Sequence, residues 1–506
     1  MKTAPEGSIV IVGGGTMGLF LAHELMQRGK TIILIEAGNQ QSQSFGDDEY
    51  ASRGFRHTGI AIGRAKGIGG TTNLWGGQLA EFLPVDVESR GNYDQPPWIV
   101  SWPELKQYYK QTYAKLGFEG QTVDYAEAIK PISGKSLELF YTHWLRQPNF
   151  KNHFYNALHE SSLVTIYENT IASNLIFSGD RCTSIELLSD GKTEELRGFD
   201  KIVLASGTFE ICRLLLVSAR QKNCPFSDNQ FIGKYFQDHP VLRVGSIQNA
   251  SKPFFSKFSN VIRKGSKLQP KLRINSTTQD HTYLGVSGFF SFTSDVTQHL
   301  DNFKQFAKAV LGRSQKQTTL KDKVMMFFKV AKTLPQIMPL IFRYIKDNQI
   351  FIPFNSKITL SIQAQQISVK DSAISISQTE LDKSGRPKVE LNWKLDGREL
   401  KPIREFALAV KAYLEENNLG KLVLEDWLTR DSNDWLEHVG DNYHQAGGLI
   451  MSASKNQGVL DVNLRMHETA NVFACGPCVL PTSSYANTGL TSLALTYRLA
   501  DHLTGA

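Results

Sequence analysis

The chain has little cysteine. Five cysteines stand in 506 residues (Cys182, Cys212, Cys224, Cys475 and Cys478), an odd and low number that excludes a disulfide scaffold and fits a reducing compartment. Long apolar runs are missing too: no stretch of 18 such residues occurs, so no transmembrane helix is expected. The opening "MKTAPEGSIVIVGGG" lacks the basic n-region, apolar h-region and small-residue cleavage site of a secretory signal. Together these absences lead to the expectation of a cytoplasmic protein. Extreme charge is absent as well. The formal net charge is +7, and its location matters more than its size. Between Asp301 and Phe351, ten basic residues stand against three acidic ones, so this segment alone equals the excess of the whole chain. So local a patch reads as a docking surface, and no nucleic-acid partner is expected.

Glycine is plentiful, and its placement is informative. Ile9 to Val12 form a short apolar run of the kind found in buried parallel strands. Gly13, Gly15 and Gly18 then complete G-x-G-x-x-G, Leu19 to Arg28 read as a helix, and "TIILIE" reads as a second strand ending at Glu36. Gly13 allows the tight turn, Gly15 lets the backbone approach a pyrophosphate, and Gly18 lets helix and strand pack closely. The helix start offers free N–H groups and a positive dipole end to phosphates. Glu36, 18 residues past Gly18, stands where a carboxylate can accept from ribose hydroxyls. Strand, turn, helix, strand and acid in this order indicate a dinucleotide site. These residues alone do not separate NAD from FAD.

A second cluster, "GIGGTTNLWGGQ" at 67–78, holds five glycines in eleven positions, too many for a helix or strand interior. The chain ends "GVLDVNLRMHETANVFACGPCVLPTSSYANTGLTSLALTYRLADHL". With the first fingerprint, the second loop and this ending, the chain resembles the glucose–methanol–choline (GMC) family of FAD-dependent oxidoreductases. The matching positions at the end are Gly458 to Asp461, Arg465, Asn471 to Ala474, Pro481 to Ser483, Asn487, Leu490, Thr491, Ala494 and Arg498 to His502. "KIVLASGTFEICRLLL" (201–216), "FIGKYFQDHP" (231–240) and "NYHQAGG" (442–448) fit three further family segments. The likeness is weakest between about residues 250 and 350.

The resemblance implies an α/β FAD-binding Rossmann-type domain plus an α+β substrate domain with an antiparallel sheet, an architecture like that of p-hydroxybenzoate hydroxylase. The FAD domain is then discontinuous, over 1–90, 160–235 and 440–506, with the substrate domain at 91–159 and 236–439. It also implies oxidation of an alcohol carbon: hydride goes to flavin N5 while a base takes the hydroxyl proton, a role that suits histidine. Carried over by motif position, the base is His444 and its partner Asn487, whose amide bonds an oxygen without titrating. The implied cofactor contacts are Gly13, Gly15, Gly18, Glu36, Gly70, Thr71, Thr72, Asn73, Gly76, Ile171, Gly476 and Thr488. Some members attach FAD covalently through a histidine, but Leu74 stands at that position here. FAD is therefore expected to be non-covalent, and the chain leans toward the sugar-oxidising, pyranose-oxidase-like members. Thr488 replaces the usual proline after the asparagine. His239 in "QDHP" is expected to be structural.

Cys475 and Cys478 invite a redox reading. A thioredoxin-like C-x-x-C opens a helix, whereas Pro477 and Pro481 frame this pair in an irregular loop, so packing is the expectation. Residues 163–207 read as a β-meander returning to the FAD domain, and 357–395 as antiparallel strands of the substrate domain. "WPELKQYYKQTYAKLGF" (102–118) reads as a helix beside that sheet. Residues 301–351 pair apolar side chains with lysines, broken by Pro335 and Pro339. They read either as a lid of packed helices or as a membrane-surface element that would make the protein peripheral to a membrane. The expected substrate is a small alcohol, foremost a secondary hydroxyl of a sugar, glycoside or glycoconjugate. Sterol or long-chain alcohols, a flavin lyase and a non-catalytic binding module are the alternatives. The electron acceptor, oxygen or another, is left open.

Overall fold

The computed structural model describes residues 1–46, 48–87, 93–118, 137–263, 266–274, 284–294, 319, 321–322, 324–328, 352–430 and 433–505. Four apolar residues in a row, Ile9–Val12, make a strand with every side chain buried, as a central parallel strand requires. It lies at the middle of a five-stranded parallel sheet in the order Val472–Ala474, Lys201–Leu204, Ile9–Val12, Ile32–Ile35, Val164–Tyr167. The strands come from distant parts of the chain, so the dinucleotide unit is assembled from both ends and the middle. The helices Thr16–Gln27 and Thr488–Thr504 pack against each other beside this sheet. Val164–Tyr167 was expected to begin the meander, but it extends the parallel sheet instead. The meander itself is Ile171–Ser178, Arg181–Ser189 and Lys192–Arg197, with Lys2–Thr3 added at its edge.

A larger antiparallel sheet runs Lys421–Leu424, Val241–Gln248, Lys357–Ala364, Val286–Thr293, Ser266–Ile274, Leu137–Trp144, Gln78–Leu79. Alternation along these strands divides its two faces. Leu137, Leu139, Leu272, Val286, Phe290, Leu360 and Ile362 join Phe254, Phe258, Phe406 and Val410 in one apolar core, beneath the helix Leu400–Glu416. A Cβ on Gly288 would lie 2.6 Å from the Phe406 ring, so this strand is glycine where the helix presses closest. The opposite face carries Gln363, Arg273, Lys271, Gln269, Glu138, Thr142 and Gln78, mostly polar, and it turns toward the dinucleotide unit: Arg273 bonds the Tyr485 hydroxyl at 2.5 Å.

Two expectations about packing change. The hairpin Ala373–Leu381 and Pro387–Asn392 does not join the large sheet; it forms a three-stranded sheet with Tyr50–Ser52. The helix Trp102–Tyr113 packs mainly on Thr488–Thr504, through Tyr109 to Thr491 (2.7 Å) and Arg498 to Glu104 (2.6 Å), and only its end, Tyr113, meets His143 of the sheet. Most of the 301–351 segment lies outside the described residues. Within it, Val324, Met325, Phe327 and Phe328 are helical and exposed. Among the described residues no helix is long and apolar enough to cross a membrane.

A buried ion cluster ties the hairpin to the helix Thr208–Ser218, which borders the site. Arg213 donates to Asp382 at 2.6 Å and lies 3.2 Å from Glu210. Arg386 reaches Glu210 at 3.1 Å and Asp382 at 3.2 Å, and the Tyr50 hydroxyl donates to Glu210. Burial alone would raise Glu210, but the guanidinium groups of Arg213, Arg386 and Arg64 outweigh it and hold the carboxyl far below its usual range. Burial would raise Asp382 too, but a hydrogen bond from Ser384, and then Arg386 and Arg213, lower it. Breaking such a cluster from one side leaves a buried charge uncompensated, at about 3–5 kcal/mol. Arg213→Met is expected to lose stability of that order in urea unfolding at neutral pH. Because both carboxyl values are depressed, the cluster's contribution is present above the ordinary carboxylate range and lost as pH falls through the lowered values. The deficit of the variant should therefore shrink in acid.

Candidate active site

One cavity runs from the first glycine turn to Gln78 at the edge of the large sheet. At its first end the chain turns at Gly13, with φ +111° and so little room that a Cβ would lie 2.6 Å from the Ser206 backbone. Gly70, at φ +49°, sets its Cα against Gly15, where a Cβ would approach to 2.8 Å. Two glycine turns thus back each other beside the start of the helix Thr16–Gln27. They leave bare backbone and a helix N-terminus facing the cavity, as a pyrophosphate requires. Glu36 borders the same cavity and accepts from the backbone N–H of Gly14 (2.7 Å), Gly38 (2.9 Å) and Gly67 (2.8 Å). The carboxylate therefore pins both glycine loops as well as standing where ribose hydroxyls would bind. Two buried polar atoms on residues that border the cavity, Thr208 Oγ1 and Asn487 Oδ1, have no hydrogen-bond partner among the described residues. Backbone cradle, acid and orphaned polar atoms fit FAD.

At the other end His444 and Asn487 border the cavity together with Gln78 and Tyr443. Asp238 builds this corner. Its Oδ1 accepts from the backbone N–H of His239 (2.7 Å), His444 (3.0 Å) and Asn442 (3.3 Å), while Oδ2 lies 3.0 Å from His57 Nε2. The loop between Asn442 and His444 passes through Tyr443 at φ +57°, a region that costs a non-glycine residue energy and persists only where the surroundings enforce it. Asp238 supplies that enforcement.

The protons on the two imidazoles follow from their partners. Nε2 of His239 lies 3.1 Å from the Ser483 carbonyl; a carbonyl only accepts, so Nε2 carries the hydrogen and Nδ1 is bare. That Nδ1 receives a bond from Gln363 Nε2 at 2.9 Å and faces His444 Nδ1 at 3.1 Å. Gln363 also donates to the Tyr485 carbonyl (2.8 Å), which turns its Oε1 toward Asn442 Nδ2 at 2.7 Å. Asn442 Nδ2 lies 3.0 Å from the same His444 Nδ1. One donor and one acceptor therefore converge on Nδ1 of His444. Either neutral tautomer can be held, and the one donating to His239 leaves Nε2 free to take a proton. Burial first, then His239 and Lys271, push His444 well below its usual value, so the ring is neutral.

Asn487 occupies the N-cap position of the last helix, but its side chain makes no capping bond. Its Nδ2 points at Gln78 Oε1 at 3.5 Å, and Gln78 is oriented by donating to Thr142 (2.6 Å) and Gln269 (2.9 Å). Of the other anticipated cofactor residues, Thr71, Ile171, Gly476 and Thr488 border the cavity with Gly13, Gly15, Glu36 and Gly70. Gly18, Thr72, Asn73 and Gly76 stand behind it. A Cβ on Gly18 would lie 1.7 Å from the Gly13 carbonyl oxygen, and one on Gly76 would strike Trp144 at 2.2 Å. Thr72 and Asn73 bond back to Gly69 and Gly70 and hold the second loop's shape. Cys475 and Cys478 are buried free thiols. Burial pushes Cys475 up to about 12 and Cys478 well above its usual value, so neither offers a thiolate. His239 was read as structural, yet it touches His444. Its D-H-P context carried no sign of that contact, which depends on a loop two hundred residues away.

A family profile for the GMC oxidoreductases matches residues 369–496, and one for FAD-dependent oxidoreductases matches residues 8–229. The fructose dehydrogenase large subunit of Gluconobacter japonicus is 25% identical over 151 residues, 23% of this chain and 28% of that one. The patulin synthase of Aspergillus clavatus is 23% identical over 331 residues, 48% of this chain and 52% of that one. The chain thus spans about half or less of these curated relatives. A fungal aryl-alcohol oxidase structure superposes with TM-score 0.61 at 13% identity, covering 99% of each chain, which is likeness of fold. The chain belongs to the GMC oxidoreductases, with FAD as its dinucleotide.

Proposed function

We propose that this protein oxidises a CH–OH group of a small, polyhydroxylated substrate, foremost a sugar or glycoside, with His444 as proton acceptor. The observation that carries this reading is that one cavity is bordered both by His444, whose Nε2 makes no bond within the described residues, and by Asn487, whose Oδ1 is buried and without a partner there. FAD, when bound non-covalently, supplies the acceptor for hydride. The protein's part is the proton and the aim. His444 Nε2 takes the hydroxyl proton, and the imidazolium so formed gives its Nδ1–H to His239. Asn487 holds the same substrate oxygen without titrating. The sheet face behind them carries amides and a hydroxyl (Gln78, Gln269, Thr142, Gln363) beside the rings of Phe140 and Phe289, and the amides support a hydrophilic substrate. The fructose named for one relative supports a sugar.

The exposed Val324, Met325, Phe327 and Phe328 favour a second reading, sterol or long-chain alcohols met at a membrane surface; the polar sheet face opposes it. Five buried, unpaired cysteines support a cytoplasmic setting. Anaerobic addition of sugars, glycosides, sterols and long-chain alcohols to the purified flavoprotein tests these readings. Bleaching of the flavin band by polyols supports the first, bleaching by sterols or long-chain alcohols alone supports the second, and no bleaching at all overturns both.

Two further outcomes are expected. His444→Ala should keep its flavin and slow reduction about 10²–10⁴-fold, the usual worth of a general base; unchanged reduction would remove His444 from the chemistry. A base acts unprotonated, and His444 is held well below 6.5. The rate of reduction should therefore stay flat through neutral pH and fall only in acid, as pH drops through the lowered value. A midpoint at or above 6.5 would contradict this assignment.

A further inference from the structure

Asn487 keeps one polar atom unpaired, and the direction of its amide is fixed from below. The backbone carbonyl of Gln269 can only accept, and the Thr142 hydroxyl lies 3.4 Å from it, so the hydroxyl hydrogen points there. Thr142 Oγ1 then accepts from Gln78 Nε2 at 2.6 Å, and the same Nε2 donates to Gln269 Oε1 at 2.9 Å. With its nitrogen so engaged, Gln78 turns Oε1 toward Asn487 and receives from Nδ2 at 3.5 Å. The asparagine amide is thereby oriented. Asn487 is 8% exposed and borders the cavity, and its Oδ1 has no partner among the described residues. A buried acceptor is costly to leave without a donor.

His444 has the same need. With Nδ1–H given to His239, its Nε2 is a second acceptor, also without a bond among the described residues. The chain neighbours of the two residues touch: the Thr488 hydroxyl lies 3.5 Å from the Gln445 carbonyl. His239 and Gln363 join the same two stretches, through the Ser483 and Tyr485 carbonyls on one side and His444 and Asn442 on the other. An alcohol hydroxyl brings one hydrogen, and that hydrogen goes to His444. It cannot also satisfy Asn487 Oδ1. The substrate therefore has to bring a second donor. The carboxylates that border the cavity, Glu36 and Glu210, are engaged by backbone N–H groups and by arginines, so a neutral hydroxyl suits this place better than an ammonium.

We propose that Asn487 reads a second hydroxyl on the carbon next to the reacting one, so that the substrate is a vicinal diol. The inference rests on the alcohol-oxidation reading and narrows it. One N–H of the amide remains for the reacting oxygen, while Oδ1 accepts from the neighbouring hydroxyl. An asparagine amide spans a donor and an acceptor on adjacent carbons in this way when it reads the edge of an adenine. A monohydric alcohol leaves Oδ1 buried and unpaired, and a site built for a hydroxyl penalises its absence. Thr142, acting through Gln78, is a positioning residue in this arrangement.

The test follows anaerobic flavin reduction in the FAD-loaded wild type and in Asn487→Ala, Asn487→Asp and Thr142→Val. The probes are cis- and trans-cyclohexane-1,2-diol against cyclohexane-1,3-diol and cyclohexanol, and glucose and fructose against their monodeoxy derivatives. The quantity read is the ratio of rates with and without the neighbouring hydroxyl. In the wild type it should be about five- to a hundredfold, the worth of a buried acceptor left unpaired. Asn487→Ala should bring the ratio near one. Asn487→Asp keeps an acceptor and gives up the N–H donors, so it should retain the ratio even where the rate falls. Thr142→Val frees the Gln78 amide to turn and should lower the ratio without touching the substrate. A wild-type ratio near one, as an Oδ1 turned to the flavin would give, overturns the proposal and leaves alcohol oxidation standing. A ratio that survives in Asn487→Ala, or is lost equally in Asn487→Asp, also overturns it. No bleaching by any of the probes defeats the alcohol-oxidation reading and this one with it.

Discussion

The carboxylate of Asp238 is the constraint on which the catalytic corner depends. It is buried, and its two oxygens hold three stretches of chain: His57 from the first hundred residues, the strand entry at His239, and the loop from Asn442 to His444. A carboxylate accepting several N–H bonds in a low-dielectric setting gives both strength and direction. The direction matters most, because the same bonds keep Tyr443 at positive φ and so aim the His444 ring. His57 is in turn walled by Phe209, Phe236 and Trp393, and Trp393 shares Gln366 with the Asp238 backbone. The proton acceptor is thus positioned by the core itself.

A second dependence joins the site to the large sheet. Alternation along Ser266–Ile274 sends Leu272 into the apolar core and its neighbours Lys271 and Arg273 to the opposite face. A slip of one residue would exchange the two sets and destroy core and site at once. The register is held by long antiparallel pairing with Leu137–Trp144 on one side and by the Arg273–Glu138 pair across it. Stability of the sheet and chemistry on its polar face are therefore one requirement.

What could be read from the sequence follows from how local each signal is. The turn at Gly13, Gly15 and Gly18 and the acid at Glu36 lie within one strand–helix–strand unit, and the cavity begins there. His444 and Asn487 came from a family pattern, and both border the cavity. Contacts that depend on distant partners were not legible. His239 earns its place through Gln363 and Asn442, from two other segments, and Gly76 proved to be a packing glycine because Trp144 lies against it. The strand Val164–Tyr167 alternated like a meander strand, yet an open edge beside Ile32–Ile35 claimed it. The hairpin 373–392 carried no sign that Tyr50–Ser52 would be its third strand. Lys271 stood in plain view in "SKLQPKLRI", but a lysine in a strand reads as solvent-facing until the neighbouring unit is seen to cover it.

Two buried polar atoms without a partner among the described residues, Asn487 Oδ1 and Thr208 Oγ1, belong to residues that border the cavity, and the strained Tyr443 is at its edge. Such features cost stability and are retained where something outside the chain completes them. The electrostatics point the same way. Burial first, and then His239 and Lys271, keep His444 from holding a charge, so the ring meets a substrate in the cavity as a neutral base.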